Sequence, residues 1–422
     1  MKRIYLSIVL IFAATFSFAQ SIEDALFDLE GVKFTKVTDN KYECFVKQFI
    51  DHENPEKGTF YQRLELTHVG FEAPNVMNTQ GYQLNRNKNE VATILKANYI
   101  NIEHRFCGKS VPSPLDWQYL NLEQATADLH HINQLLKKIY TGKWVSTGIS
   151  KGGQTTIFYR YFYPNDVDVS FPYVAPLNLD FEEKRIYKFL DTIGTKECRD
   201  KIFHVQKILL ENREEVLGKL KWFSKASNYT FEYLGGLEAA FEFAVLEYSF
   251  SFWQWGSSCD DLPTGDTLDN YIQSFIDIVG LSFYDDKTMK MFEPHYYQAS
   301  AQMGYYGFET KKFGDLIKTL SKDPHSSFAP KGIEIKFDND VPKAAAKWLE
   351  KNGNNFIYIN GANDTWSATR VIPTKKVNAL YFNMVGKHHG NARIKNLTDA
   401  QKVELKATLE TWLGVEVDME AL

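Results

Sequence analysis

The stretch Gly148-Ile149-Ser150-Lys151-Gly152 lies where an apolar run, Trp144-Val145-Ser146-Thr147, gives way to a helix-competent run, Gln154 to Tyr161. A serine framed by glycines at a strand-to-helix junction demands a sharp turn. The backbone there is crowded, so the positions two before and two after the serine carry almost no side chain, and the helix that follows aims its positive end at the serine oxygen. Such a turn needs a sheet edge to stand on, and it points to covalent acyl-transfer chemistry, provided the rest of the chain supplies that context.

The rest of the chain supplies that sheet. Tyr42 to Phe49 and Phe60 to Leu66, joined by a turn with Pro55 and Gly58, read as a hairpin. Short apolar runs follow at Pro74 to Met77 and Tyr99 to Ile102, then a helical stretch from Leu120 to Tyr140, the strand and helix around Ser150, and a strand near Val167 to Val174. Strands alternating with helices indicate an α/β protein with a mostly parallel sheet covered on both faces. The alternation stops near Pro176. From 177 to 341 the chain looks helical and aromatic-rich, and strand character returns at Asn355 to Ile359 and Ala379 to Phe382 before a closing amphipathic helix, Asp399 to Leu413. We read 20–176 and 342–422 as two parts of one core, with 177–341 inserted as a helical lid over the carboxyl ends of the strands.

With 422 residues, 44% of them hydrophobic and 15% aromatic, the chain has ample material for a large core. A net charge of -5 with acids and bases interspersed offers no basic stripe for a polyphosphate backbone, so nucleic acid is not an expected partner. Met1-Lys2-Arg3, the apolar run Ile4 to Phe16 and the small residues up to Ala19 read as a secretory signal cut after Ala19, leaving an exported chain, periplasmic or extracellular. No later segment has the roughly 18 uninterrupted apolar residues of a membrane span. Export permits disulfides. Of the four cysteines we favour Cys198 with Cys259, both in the inserted region, leaving Cys44 and Cys107 as a second pair or as buried thiols.

A serine hydroxyl attacks well only when an imidazole takes its proton and a carboxylate orients that imidazole. In hydrolases built on such a sheet the chain order is Ser, then Asp or Glu, then His. Asp364 follows the strand ending at Ile359-Asn360, and His388-His389-Gly390 follows the strand ending near Phe382. The expected set is therefore Ser150, Asp364 and His389, with His388 the alternative base; Gly390 lets the backbone turn closely past the serine. The competing role for Asp364 is a turn or helix cap. The oxyanion donors are expected to be the amides of Lys151 and Tyr82, with Phe106-Cys107-Gly108 the second choice for the latter. The cation of Lys151 opposes the positive helix start, and Glu103 is a candidate to neutralise it. There is no H-E-x-x-H and no zinc-knuckle spacing, and no cofactor or metal is expected.

Several segments together resemble the secreted serine tripeptidyl aminopeptidases, including prolyl tri- and tetrapeptidyl enzymes, and more distantly the lysosomal prolyl carboxypeptidase and dipeptidyl peptidase group. The matching stretches are Gln48 to His52 with Gly58 to Arg63, Glu103 to Ser110, Glu123-Gln124-Ala125 with Asp128, Thr147 to Gly153 with Phe162 to Asp168, and Asp364 to Ser367. The resemblance implies an α/β-hydrolase fold, the roles already given to Ser150, Asp364 and His389, and release of short peptides from free amino ends. Thr365 stands where relatives tend to have Pro, and the doubled histidine blurs the register of the base.

Removing a fixed number of residues from an amino end requires a carboxylate for the substrate ammonium and a closed pocket. Glu242, Glu247, Asp260 and Asp261 are candidates for the carboxylate, and Trp253 and Trp255 offer flat faces to a proline ring. Two other readings use the same sequence: a carboxyl-ester hydrolase, and a non-catalytic binding protein on a hydrolase scaffold.

Overall fold

Nine strands build one sheet in the computed structural model, which describes residues 21–85, 88–265, 267–320 and 327–422. They are β1 (Val32–Thr38), β2 (Lys41–Phe49), β3 (Thr59–Thr67), β4 (Asn75–Thr79), β5 (Asn98–Ile102), β6 (Trp144–Ile149), β7 (Val169–Tyr173), β8 (Ile357–Gly361) and β9 (Leu380–Met384). Their order across the sheet is β1-β2-β3-β5-β4-β6-β7-β8-β9. The first three strands are antiparallel and β3 joins β5 antiparallel; from β5 to β9 every pairing is parallel. The leader expected at 1–19 lies outside the described residues.

Parallel strands buried on both faces carry unbroken apolar or small runs, and β4, β7 and β8 are buried at every position. On one face Val76, Val145, Phe171, Ile357 and Phe382 pack beneath Leu405, Leu409 and Leu413 of the closing helix, Asp399–Leu413. On the other, the helix after the serine, Lys151–Phe162, sets Ile157 and Phe158 against Phe356, Tyr358 and the helix Asp340–Asn352. Each such side chain contributes about 1.5–3 kcal/mol by burial. The closing helix starts on a Thr398–Gln401 capping box, which satisfies two of its free amides.

Between β7 and β8 the chain is helical. The longest element, Leu237–Trp255, is apolar on nearly every side, with Phe241, Phe243, Ala244 and Phe252 fully buried, so it is the axis around which helices Lys196–Glu211 and Leu268–Ile278 pack. Among the described residues no helix is long and apolar enough to cross a membrane. The Cys198–Cys259 disulfide forms within this region. Cys44 and Cys107, offered as a second pair, are not bonded. The Cys44 side chain is buried in the core with Tyr42, Leu64 and Leu129, whereas Cys107 lies in the loop beyond β5; burial pushes the Cys44 thiol up to about 12 and the Cys107 thiol up to about 11.

The strand β1 has no counterpart in the sequence reading. It is an edge strand mostly exposed to water, so its alternation buries little and gives a weak apolar signal. With it, the loop carrying Tyr82 follows the fourth strand in chain order.

Candidate active site

Ser150 stands between β6 and the helix Lys151–Phe162 with φ 58° and ψ -123°, a conformation that an L-residue adopts only when its surroundings enforce it. The enforcement is visible at the glycines. A Cβ at Gly148 would stand 2.1 Å from the Gly152 carbonyl oxygen, and one at Gly152 would stand 2.6 Å from that of Thr79. The Ser150 amide donates to the Tyr173 carbonyl at 2.9 Å, and the Gln154 amide donates to the Ser150 carbonyl at 2.9 Å, pinning the turn to β7 and to the first turn of its helix. Lys151 is the first residue of that helix, so its amide has no intrahelical acceptor.

Asp364 and His389 come from the loops after β8 and β9. The His389 Nδ1 and the Asp364 Oδ2 are 2.8 Å apart, with the carboxylate fully buried and the histidine 6% exposed. The other carboxylate oxygen, Oδ1, accepts the Trp366 amide at 3.1 Å, so Asp364 is both a turn cap and the partner of the imidazole. The two loops are stitched together: the Asn363 amide donates to the Lys387 carbonyl at 2.9 Å, and a Cβ at Gly361 would come within 2.5 Å of that same oxygen. Trp255 meets the His389 ring edge-on, centroids 5.8 Å apart. The His388 ring instead lies against Gly256, and its Nδ1 accepts the Gly390 amide. Thr365, the departure from proline, uses its hydroxyl to bond the Phe250 carbonyl of the long inserted helix at 2.9 Å.

Ser150, Lys151, Tyr82, Trp255, Glu247 and His389 all line one cavity of about 580 Å³, roofed by aromatic side chains of the insertion such as Phe292, Tyr305 and Tyr306. That size suits a small ligand. The loop from β4 crosses the serine turn so closely that a Cβ on Gly81 would stand 2.6 Å from that of Lys151, which brings Tyr82 to the cavity wall. In the second-choice loop, the Phe106 and Cys107 amides are taken up by the Ser110 and His104 carbonyls.

The other candidates divide by position. Glu247 is 7% exposed, accepts the Ser251 hydroxyl at 3.0 Å and the Tyr306 hydroxyl at 2.7 Å, and burial raises its pKa to about 7. Glu242 lies elsewhere: its oxygens are occupied by Arg213, the Thr319 hydroxyl and the amides of residues 318–320, an anchor inside the insertion that leaves nothing for a ligand. Asp260 and Asp261 line a separate depression next to the disulfide. Trp253 is turned away, its ring against Gly194 and a second cavity. Glu103 does not meet Lys151; its carboxylate takes the Lys109 and Leu84 amides and the Ser110 hydroxyl. The motif residues Arg105 and Asp128 form a buried pair, with Arg105 Nε 2.7 Å from Asp128 Oδ2, that braces the loop beyond β5.

Two features of the cavity escaped the sequence reading. His295 enters from the helix Asp286–Gln298, its ring centroid 5.4 Å from that of Tyr82, and its pKa is held well below the usual imidazole range by burial and by the nearby Lys151. Tyr306 joins the cavity through Glu247. Neither residue carries a motif, and only the folding of the insertion brings them in.

The chain is 32% identical over 409 residues, covering 93% of itself and 85% of its relative, to the prolyl tri/tetrapeptidyl aminopeptidase of Streptomyces mobaraensis. Solved structures resemble it more loosely. The proline iminopeptidase of Mycobacterium smegmatis superposes with a TM-score of 0.42 at 13% identity, over 88% of this chain and 97% of that one. VinJ gives 0.41 at 9% identity, over 92% and 99%. The profile of the PS-10 peptidase S37 family matches residues 17–419, and the chain belongs to that family, a serine peptidase on an α/β-hydrolase fold.

Proposed function

We propose that Ser150 is the nucleophile, His389 the general base and Asp364 its orienting acid, in an exported exopeptidase that releases short peptides, tripeptides foremost, from free amino ends. The observation that carries the reading is the meeting, along one cavity, of the strained serine and the Asp364-bound imidazole with a buried carboxylate, Glu247. His389 takes the proton of the Ser150 hydroxyl as its oxygen attacks the scissile carbonyl; the amides of Lys151 and Tyr82 receive the developing oxyanion. The same imidazole then gives that proton to the departing amine, and water hydrolyses the acyl-enzyme by the reverse sequence.

Glu247 sets the register. An ammonium is held best by a carboxylate freed from competing water, and Glu247 accepts two hydroxyl donors and, among the described residues, meets no cation. The inserted segment 177–341 acts as the lid that closes the far end of the cavity and limits how many residues fit before the cut. Tyr305 and Trp255 offer ring faces to a proline before the scissile bond, in keeping with the name of the Streptomyces mobaraensis relative, whereas the Tyr306 ring is stacked between Phe250 and Tyr305. The leader sequence and the Cys198–Cys259 bond both support an oxidising compartment outside the cytoplasm.

The test is mass spectrometry of the products formed from a peptide library, each peptide supplied with a free and an N-acetylated amino end. Free peptides should lose a fixed short piece and the blocked ones should persist. Equal cleavage of both sets would make the enzyme an endopeptidase.

A further inference from the structure

Lys151 is a cation with an unusual address. Its side chain is 3% exposed, and its Nζ donates to the Gly81 carbonyl at 2.7 Å and lies 5.2 Å from the centre of the Tyr82 ring. Among the described residues no carboxylate is paired with it. The oxygen it grips belongs to the peptide joining Gly81 to Tyr82, the same peptide whose N–H is the second oxyanion donor of the proposed mechanism. That bond is trans, so carbonyl and N–H point in opposite directions. A positive charge on the oxygen draws electron density toward it, which makes the N–H on the other side a stronger donor and fixes the plane of the group.

We propose that the Lys151 side chain is a positioning residue for the oxyanion hole: its ammonium clamps and polarises the Gly81–Tyr82 peptide, so that donor strength depends on its charge. The inference rests on Ser150 being the nucleophile, and it explains why a lysine directly follows a serine whose helix already supplies positive potential. The chain uses one residue for both halves of the hole, its amide as the first donor and its side chain behind the second.

The groups facing Lys151 leave it free to titrate. Cys107 and His104 come from the loop beyond β5, Tyr82 from the loop beyond β4, and His295 from the helix Asp286–Gln298. Burial holds the His104 imidazole down to about 3 and His295 well below its usual range, so both are neutral, and the raised Cys107 thiol stays protonated near neutrality. Desolvation lowers Lys151 to about 8. The ammonium is therefore present below about pH 8 and lost as pH rises through it.

The experiment is the rate at which a small neutral fluorophosphonate labels Ser150, followed by mass spectrometry from pH 6 to 10. Oγ attacks phosphorus, fluoride leaves, the proton passes to His389, and the phosphoryl oxygen occupies the oxyanion hole; the reagent has no amine, so Glu247 plays no part. In the native protein the rate should fall several-fold as pH rises through about 8. Lys151→Met should label about tenfold or more slowly at pH 7 with no alkaline decline, because one donor loses its polarising cation. Lys151→Arg keeps a charge that does not titrate in this range, and it should recover part of the rate and also lack the decline. A native rate that stays level from pH 7 to 10 overturns the inference, even if Lys151→Met proves too unstable to assay. So does the same alkaline decline in Lys151→Arg. Absence of any adduct on Ser150 would instead overturn the catalytic assignment itself.

Discussion

Glu247→Gln tests the amine-recognition role proposed for that carboxylate apart from the rest of the machinery. Burial raises the carboxyl from 4.5 to about 7, and at about 1.36 kcal/mol per unit this represents roughly 3 kcal/mol opposing the charged form at its buried position. A substrate ammonium that repays this cost must bind the charged form with at least that energy, so removing the charge should raise KM for a free-amine peptide by about a hundredfold. The amide is nearly isosteric, and the Ser251 and Tyr306 hydroxyls can rotate to serve it. Stability should move the opposite way. A carboxyl whose folded pKa lies above its unfolded one does not destabilise the protein when neutral, below about 4.5, and destabilises it fully above about 7. The variant should therefore melt higher than the native protein at pH 8, and the two should converge near pH 4. In native enzyme KM should fall as pH rises through about 7, and Glu247→Gln should lack that limb. The assay is steady-state cleavage of a chromogenic tripeptide amide, with melting temperature measured beside it. A KM within twofold of native at pH 8 would refute the role of Glu247.

Three further outcomes follow from the geometry. Ser150→Ala should abolish turnover while leaving the melting temperature nearly unchanged, since the hydroxyl contributes no packing; activity above the background of a mock purification would remove the serine from the mechanism. Asp364→Asn should lower kcat by about 10⁴ through the wrong imidazole tautomer, measured at saturating substrate, whereas a loss under tenfold would leave Asp364 only its turn-capping role. Replacing Cys198 and Cys259 by Ala removes a cross-link spanning 61 residues, which chain entropy values at about 4 kcal/mol; a chemical denaturation midpoint unchanged from native would show that the insertion does not need it.

The fold was legible where local pattern and tertiary role coincide. The closing helix runs Asp399–Leu413 as its periodicity indicates, and the buried strands follow the apolar runs to within two or three residues because parallel strands have no polar face to disguise them. The insertion was legible only as helical. Its all-round apolar axis, Leu237–Trp255, hides which side faces the cavity, so Glu242 and Glu247, five residues apart on one helix, looked equivalent. Only packing turns one toward Arg213 and the other toward Tyr306. Trp253 and Trp255 separate in the same way. The placement of Ser150, Asp364 and His389 around one cavity was legible because loops at one sheet edge must converge, whereas Lys151 gave no hint of its acceptor, which is a backbone oxygen seventy residues away.

The long inserted helix, Leu237–Trp255, is bonded to the loops beneath it as well as packed on them. Its carboxyl end gives two carbonyls to the catalytic loops, Phe250 to the Thr365 hydroxyl and Gln254 to the His389 amide. The proposed acid and base, Asp364 and His389, are thus tethered to the roof as well as to the sheet. Were the roof to swing aside for a bulky folded protein, it would drag on the very loops that hold the imidazole, and the hydrolytic power would lapse while the mouth stood wide. So wired, the proposed site would work only around a guest small enough to let the roof settle.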